Sequence, residues 1–487
     1  MFCLLNLKEN LLLQKPKKSK MKRIVLLLTS ILSLSLSAQN KKEISLDQIY
    51  VLVLSNHPIA RQAAFLPDQA KAEIRAARGF FDPKLNAFFD EKDFDGKRYW
   101  NRLDGMLKVP AWIGDFKGSF ERNRGSFISS SDNTPFSGLI TAGYSLPIGA
   151  GLLMDERRST LRQAQQLNII NTAESVKMMN KLFLQVAVDY WNWYQAYRQL
   201  QFVDEAYQLA DIRFEAIKEM AALGISSPFD TIEAYSNLLV RDVQRLQSEV
   251  EFKNAGLILS NHLWDPESQP AELDSLAIPQ NVTIFSNRFN PGTLDSLRNF
   301  ALERHPELLK LDAKVNQLEI EKRFRREMLK PTLNFEYNFL QSGTGNIPIE
   351  NGLFLSNYKA GFQFEMPLFL RKERGKYQSA GIKLNLAELE LINSRKLVET
   401  EVLTRYNELK NLEELLSNQQ ISLELFRLLV FGEQERFRNG ESSVFIINAR
   451  ETKLVEAGLK LAEFESKYAK AIAYLYWASG QNSLNAR

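Results

Sequence analysis

The sequence predicts a mainly α chain with a β part, built from two tandem copies of one helix–strand–strand–helix unit. Three observations carry this. The second half repeats the first: Leu46-Asp47, His57-Pro58 and Pro83-x-Leu85-Asn86 recur as Leu294-Asp295, His305-Pro306 and Pro331-x-Leu333-Asn334, at a constant offset of 248 residues. Self-similarity of this kind decides the architecture before any local motif is weighed. Each copy also holds one helical stretch close to 68 residues long, from Asp155 to Leu223 and from Arg371 to Asn439. Finally, residues 333–339 and 358–366 alternate apolar and polar side chains, the period of a strand with two different faces.

The N-terminus reads as a processing signal. Met21-Lys22-Arg23 precedes an apolar run from Ile24 to Leu36 and the small residues Ser35, Ser37 and Ala38, the layout of a secretory signal peptide. Residues 1–20 then lie upstream of a start at Met21, and residues 1–39 are removed. This segment holds Cys3, the only cysteine, so the mature chain has no thiol and no disulfide. It also holds seven Lys/Arg and one Glu; losing that +6 turns the formal net charge from +4 to about −2, so the basic balance does not point to nucleic acid. Beyond the signal no apolar run reaches 18 residues. A mature chain entering a membrane would do so as a closed barrel.

The first repeat occupies 40–264. Its opening helices cover about 46–80, with breaks expected at His57-Pro58 and at Pro67, because proline disfavours helix in the residue before it. Strands follow at about 84–92 and 138–147. Between them the first repeat carries 28 residues more than the second. The stretch 99–130 is rich in glycine and aromatic residues and reads equally as an additional hairpin or as an external loop. The long helix spans about 155–223, and Val176, Met179, Phe183, Val186, Tyr190, Trp193, Tyr197 and Leu200 mark a heptad stripe along it. At 1.5 Å per residue it reaches about 100 Å, longer than any ordinary core, so it must project. The tip turn is 224–228, where Gly224 ends one helix and Ser226 or Ser227 caps the next. Two shorter helices, roughly 58–80 and 228–264, laid end to end match the long one.

Residues 265–293, with four prolines, form the inter-repeat linker. The second repeat is 294–480: strands at about 332–341 and 357–368, a long helix at about 371–439 with Leu409, Leu412, Leu416, Leu423, Phe426 and Val430 in heptad spacing, and a tip turn at 440–443. Residues 481–487 are a tail. One strand face gathers Phe335, Tyr337, Phe339, Tyr358, Phe362 and Phe364. The other gathers Asn334, Glu336, Asn338, Lys359, Gln363 and Glu365. This suits a membrane barrel with a lipid face and a wet lumen, and equally the half-buried hairpin of a soluble sheet.

The duplicated Leu-Asp…His-Pro starts, the Pro-x-Leu strand entries, Leu146-Pro147-Ile148-Gly149 with Gly151-Leu152, and the two tips Gly224-x-x-Ser227-x-Phe229 and Gly440-x-x-Ser443-x-Phe445 resemble the TolC-like outer-membrane efflux proteins, over about residues 44–480. The resemblance implies a homotrimer in which each chain gives four strands to a twelve-stranded outer-membrane barrel. The barrel continues as a long α-helical barrel through the periplasm. It implies a passive exit duct of a tripartite efflux or type I secretion system, working with a periplasmic adaptor and an inner-membrane pump, with no cofactor. The tips, Gly224, Ser227, Phe229, Gly440, Ser443 and Phe445, would dock the adaptor. Some relatives carry acidic residues on the second tip helix to narrow the entrance; here those positions are Ile446 and Ala449. The equivalent residues of the first tip, Asp230 and Glu233, are the candidates for an entrance ring, beside the plainer reading of acids favoured by a helix N-terminus.

The alternative is a secreted coiled-coil scaffold or adaptor without a channel. An enzyme is disfavoured. The three histidines, His57, His262 and His305, lack metal-ligand spacing, and neither a phosphate-binding glycine loop nor a nucleophile motif occurs.

Overall fold

A computed structural model describes residues 42–281, 291–343 and 357–481. The expected signal segment, Cys3, part of the expected linker and nearly all of the tail lie outside the described residues. In chain order the elements are β1 (Lys42–Ile44), α1 (Leu46–Asn56), α2 (Pro58–Arg78), β2 (Lys84–Phe94), β3 (Lys97–Pro110), β4 (Asp115–Arg124), β5 (Leu139–Pro147), α3 (Glu156–Ala222), α4 (Pro228–Ser260), β6 (Ala277–Pro279), α5 (Pro291–Arg304), α6 (Pro306–Glu327), β7 (Thr332–Ser342), β8 (Tyr358–Glu365), α7 (Arg371–Arg438) and α8 (Val444–Ala478).

The helices pack side by side in one layer. α3 carries α2 against its first half and α4 against its second; α7 carries α6 and α8 in the same way. The two sets meet where α3 packs on α6 and α8. The lateral order is therefore α2/α4, α3, α6/α8, α7. Heptad spacing explains the straight seams. On α7, Val402, Leu409, Leu416, Leu423 and Val430 fall seven apart and are all buried. On α3 the same spacing runs through Leu182, Asp189, Ala196, Val203, Ala210 and Ile217. A sustained seven-residue repeat keeps one face toward its neighbour over many turns. The stripe expected on α3 is offset from this seam: Phe183, Val186, Tyr190 and Trp193 are buried, whereas Val176 is exposed. The aromatic residues fill the core where α1, α3 and α4 meet the small parallel sheet of β1 and β6.

Pro67 does not break its helix, contrary to the sequence expectation; α2 runs through it. A proline removes the hydrogen bond to the carbonyl four residues earlier. Here that carbonyl, on Ala63, accepts from Ser175 Oγ at 2.6 Å, so α3 supplies the missing donor.

The second correction concerns the sheet. It holds six antiparallel strands in the order β2-β3-β4-β5-β7-β8, where four were implied. The additional pair, β3 and β4, is the 28-residue insertion, which folds as a hairpin inserted between the two strands common to both repeats. Among the described residues β2 and β8 form its edges. Each edge is continuous with one edge of the helical layer, because α2 runs into β2 and β8 runs into α7.

Candidate functional site: a two-faced sheet and paired helical tips

The strand register sorts the side chains of the sheet onto two faces. Directly opposed residues in an antiparallel pair share a face. Phe335 lies opposite Leu146 and Phe362, Tyr337 opposite Tyr144 and Ala360, and Phe339 opposite Ala142 and Tyr358. The same face continues through Phe116 and Phe120 of β4, Leu103, Leu107 and Val109 of β3, and Leu85 and Phe89 of β2. Phe364 also belongs to it, opposite Leu333. The opposite face carries Asn334, Glu336, Asn338, Lys359, Gln363 and Glu365 with Asp104, Met106, Lys108, Lys117, Ser119 and Glu121. These polar groups pair across strands. Lys117 forms an ion pair with Glu336, reaching over Gly143, whose missing side chain leaves the path open. Lys108 pairs with Asp115 at 3.0 Å, and Trp100 donates to Asp90 at 2.8 Å.

A polar clamp fixes the sheet to the helices. Asp155 caps α3 by accepting from the Arg158 backbone, and its carboxylate also takes the Arg157 and Arg158 guanidinium groups at 3.1 and 3.0 Å. Arg157 reaches on to Asp115, the first residue of β4, at 2.7 Å. The Leu-Pro-Ile-Gly motif forms the opposite side of the junction. Ile148 donates to the Leu333 carbonyl, and a Cβ on Gly149 would fall 2.0 Å from the Pro331 carbonyl oxygen, so only glycine fits.

At the far end, both helical hairpins close by one mechanism. Gly224 and Gly440 sit at φ +74° and +77°. Gly224 and Ile225 donate to the Ala221 and Met220 carbonyls; Gly440 and Glu441 donate to those of Phe437 and Arg436. This Schellman pattern satisfies the last carbonyls of each long helix and needs a left-handed residue. After the first turn, Ser227 and Asp230 form a reciprocal capping box, and Ser226 donates to Asp230 as well. Asp230 is thus engaged in the cap. Ser443 precedes α8 without a side-chain cap bond. Phe229 and Phe445 point outward, 80% and 68% exposed, and Leu223, Ile225 and Ile232 extend the apolar surface of the first tip.

Behind the tips lies a polar cluster that sequence reasoning missed. Arg213 of α3 pairs with Glu451 of α8 and donates to Asn448 at 3.2 Å; Asn448 also bonds Asn237 at 2.8 Å and Glu233 at 3.4 Å. Arg241, almost fully buried, donates to Thr452 at 2.8 Å. The cluster ties the two repeats together across 238 positions of sequence. The only forewarning was charged residues in heptad-seam positions.

The histidines have structural tasks. His57 and His305 each cap the helix that begins with the following proline: their Nδ1 atoms accept from Ile59 and Glu307 backbone N–H at 3.1 and 3.2 Å. His262 bonds the buried Asp189 at 2.7 Å. Among the described residues no cluster could hold a metal ion, and no helix is long and apolar enough to cross a membrane.

Residues 297–481 match the family profile of the outer membrane efflux proteins. No curated protein sequence matches the chain. Solved structures share the fold over nearly the whole chain at low identity. The CmeC outer membrane channel of Campylobacter jejuni aligns with a TM-score of 0.62 and 16% identity, covering 89% of this chain and 85% of that one. The open state of the MtrE outer membrane channel of Neisseria gonorrhoeae gives 0.64 and 13%, covering 92% and 93%. The outer membrane protein VceC of Vibrio cholerae gives 0.61 and 13%, covering 90% and 96%. The outer membrane efflux protein profile is thus matched across the second repeat, and the fold of these solved outer membrane channels is shared across both.

Proposed function

We propose that the protein is the outer-membrane exit duct of a tripartite efflux or type I secretion system, acting as a homotrimer and conducting substrates passively. The observation that carries this reading is the two-faced sheet continuous at both edges with a one-layer wall of long helices. An isolated chain leaves these edges bare: the β2 and β8 strand edges, and exposed apolar stripes on α4 (Val240, Val243, Leu246, Val250) and α7 (Ile382, Leu386, Leu389, Ile392). Unpaired strand edges in a membrane are untenable, and closure removes them. Because the two edges differ, pairing is head-to-tail and closes into a ring.

In this reading Phe335, Tyr337, Phe339, Tyr358, Phe362 and Phe364 face outer-membrane lipid. Asn334, Glu336, Asn338, Lys359, Gln363 and Glu365 face the lumen. Strands of 8 to 14 residues suit a barrel, in which a tilted crossing takes about 9–11. The helices extend about 100 Å into the periplasm. The exposed apolar tips, around Phe229 and Phe445, receive the adaptor, which links the duct to an inner-membrane pump; contiguous exposed apolar surface of this kind marks an interaction site. Asp230 and Glu233 line the entrance, Glu233 being tied to Asn448 so that its position follows movement of α8.

The test is export in cells, with insertion scored separately. Gly224→Val and Gly440→Val should lower export while leaving the amount of protein in the outer membrane unchanged. Full export by both variants refutes the tip assignment. Recovery of the wild-type chain in the soluble periplasmic fraction refutes the duct and favours the scaffold reading.

A further inference from the structure

Resting on the duct reading, we infer that the inserted hairpin is part of the membrane wall, so that the barrel is closed by eighteen strands, six from each of three chains, and is wider than the twelve-stranded form its family resemblance implies. Three independent features of the hairpin support this.

It is integral to the sheet. β3 pairs with β2 from Lys84–Lys108 to Phe94–Lys97, and β4 pairs with β5 from Asp115–Ser145 to Glu121–Leu139. β2 and β5 are not hydrogen-bonded to each other, so a hairpin lying outside the wall would leave β2 without its partner strand and β5 paired only with β7. It is also two-faced in phase with its neighbours. Leu103, Leu107, Val109, Phe116 and Phe120 extend the apolar face, and Asp104, Lys108, Lys117 and Glu121 extend the polar one. An external loop has no reason to alternate in register with the wall. Finally, its turn ends at the level of the helix junction and is fixed there. Trp112 stacks on Phe81 at 5.8 Å, Tyr144 donates to the Ile113 carbonyl, and Arg157 holds Asp115. The hairpin therefore spans the full height of the sheet.

The consequence is geometric. With strands about 4.8 Å apart and tilted about 40°, eighteen strands close at a backbone radius of about 18 Å, against about 12 Å for twelve. The enclosed cross-section rises about twofold, the range in which barrels enclose an open aqueous channel. The added lumen wall brings its own charges, so Asp104, Lys108, Lys117 and Glu121 join the residues that a passing solute meets.

Site-directed spin labelling tests this in lipid vesicles, on full-length protein carrying Cys3→Ser. Leu107→Cys and Phe120→Cys report the hairpin's apolar face; Met106→Cys and Ser119→Cys report its polar face; Phe335→Cys and Asn334→Cys are the reference pair on β7. Labels at 107 and 120 should relax more with lipid-dissolved oxygen than with an aqueous nickel chelate, and labels at 106 and 119 should reverse that ratio, as 335 and 334 do. Water access at all four hairpin sites, with the reference pair still alternating, overturns the widened barrel and leaves the duct intact. Loss of alternation at the reference pair overturns both. Should a labelled variant fail to insert, strand counting by cryo-electron microscopy of the unlabelled protein replaces it: eighteen supports the inference and twelve refutes it.

Discussion

Substituting the tip glycines isolates the cost of backbone conformation. Gly224 and Gly440 lie at φ +74° and +77°, and a Cβ at either would meet no atom within 4 Å. Gly→Ala therefore creates no clash, and the whole penalty is that of an L-residue held left-handed, about 1–2 kcal/mol. Asn tolerates this region better than Ala, so Gly→Asn should cost less than Gly→Ala. The far end of the helical hairpin can open without the sheet, so the penalty appears as local opening and not as loss of the fold. Hydrogen-exchange mass spectrometry reads it directly. Amides of 220–225 and 436–441 should exchange about 5–30-fold faster in the corresponding Ala variant. Asn variants should fall between Ala and wild type, and peptides of β7 and β8 should be unchanged. Equal protection of wild type and Gly440→Ala would refute the left-handed Schellman closure of the tip.

Arg213→Ala leaves Glu451 buried and unpaired, which typically costs about 3–5 kcal/mol, and should lower the thermal midpoint in detergent more than the double variant Arg213→Met/Glu451→Gln does. Leu416→Ala empties a fully buried seam position and should cost about 2–5 kcal/mol, whereas Leu428→Ala, well exposed in the single chain, should cost little unless a neighbouring chain covers it. Burial holds the His305 imidazole down at about 4, and its cap bond to Glu307 needs the neutral ring. The folded pKa lies below the unfolded value near 6.5, so this contribution is intact above pH 6.5 and is lost as pH falls toward 4; its ceiling is about 3 kcal/mol. His305→Asn keeps a capping group that does not titrate and should flatten that part of the stability–pH curve; an unchanged slope between pH 6.5 and 4.5 contradicts the assignment.

Much of this architecture was legible because it depends on periodicity. The 248-residue offset, the heptads of the long helices and the Gly-x-x-Ser tips are local patterns with one physical solution each. The inserted hairpin was harder. Leu103, Leu107 and Val109 do alternate with Arg102, Asp104, Met106 and Lys108, but Gly105 and Gly118 fall on the apolar face and blank two of its positions. Small residues next to Phe116 and Phe120 make a strand look like a loop. Pro67 misled for a different reason: the donor that replaces its missing bond, Ser175, is 112 residues away from Ala63. The Arg213–Glu451 cluster and the His-Pro caps belong to the same class. Their meaning depends on which backbone atoms or opposing chains come near, and spacing along the chain does not encode that.

In the proposed duct, three such chains close a barrel and continue it as a helical tunnel. Electron microscopy of the full-length protein purified in mild detergent tests it most directly. Class averages should show threefold symmetry, a short ring at one end and an extension of about 100 Å at the other. Monomeric or dimeric rods without a ring would contradict it.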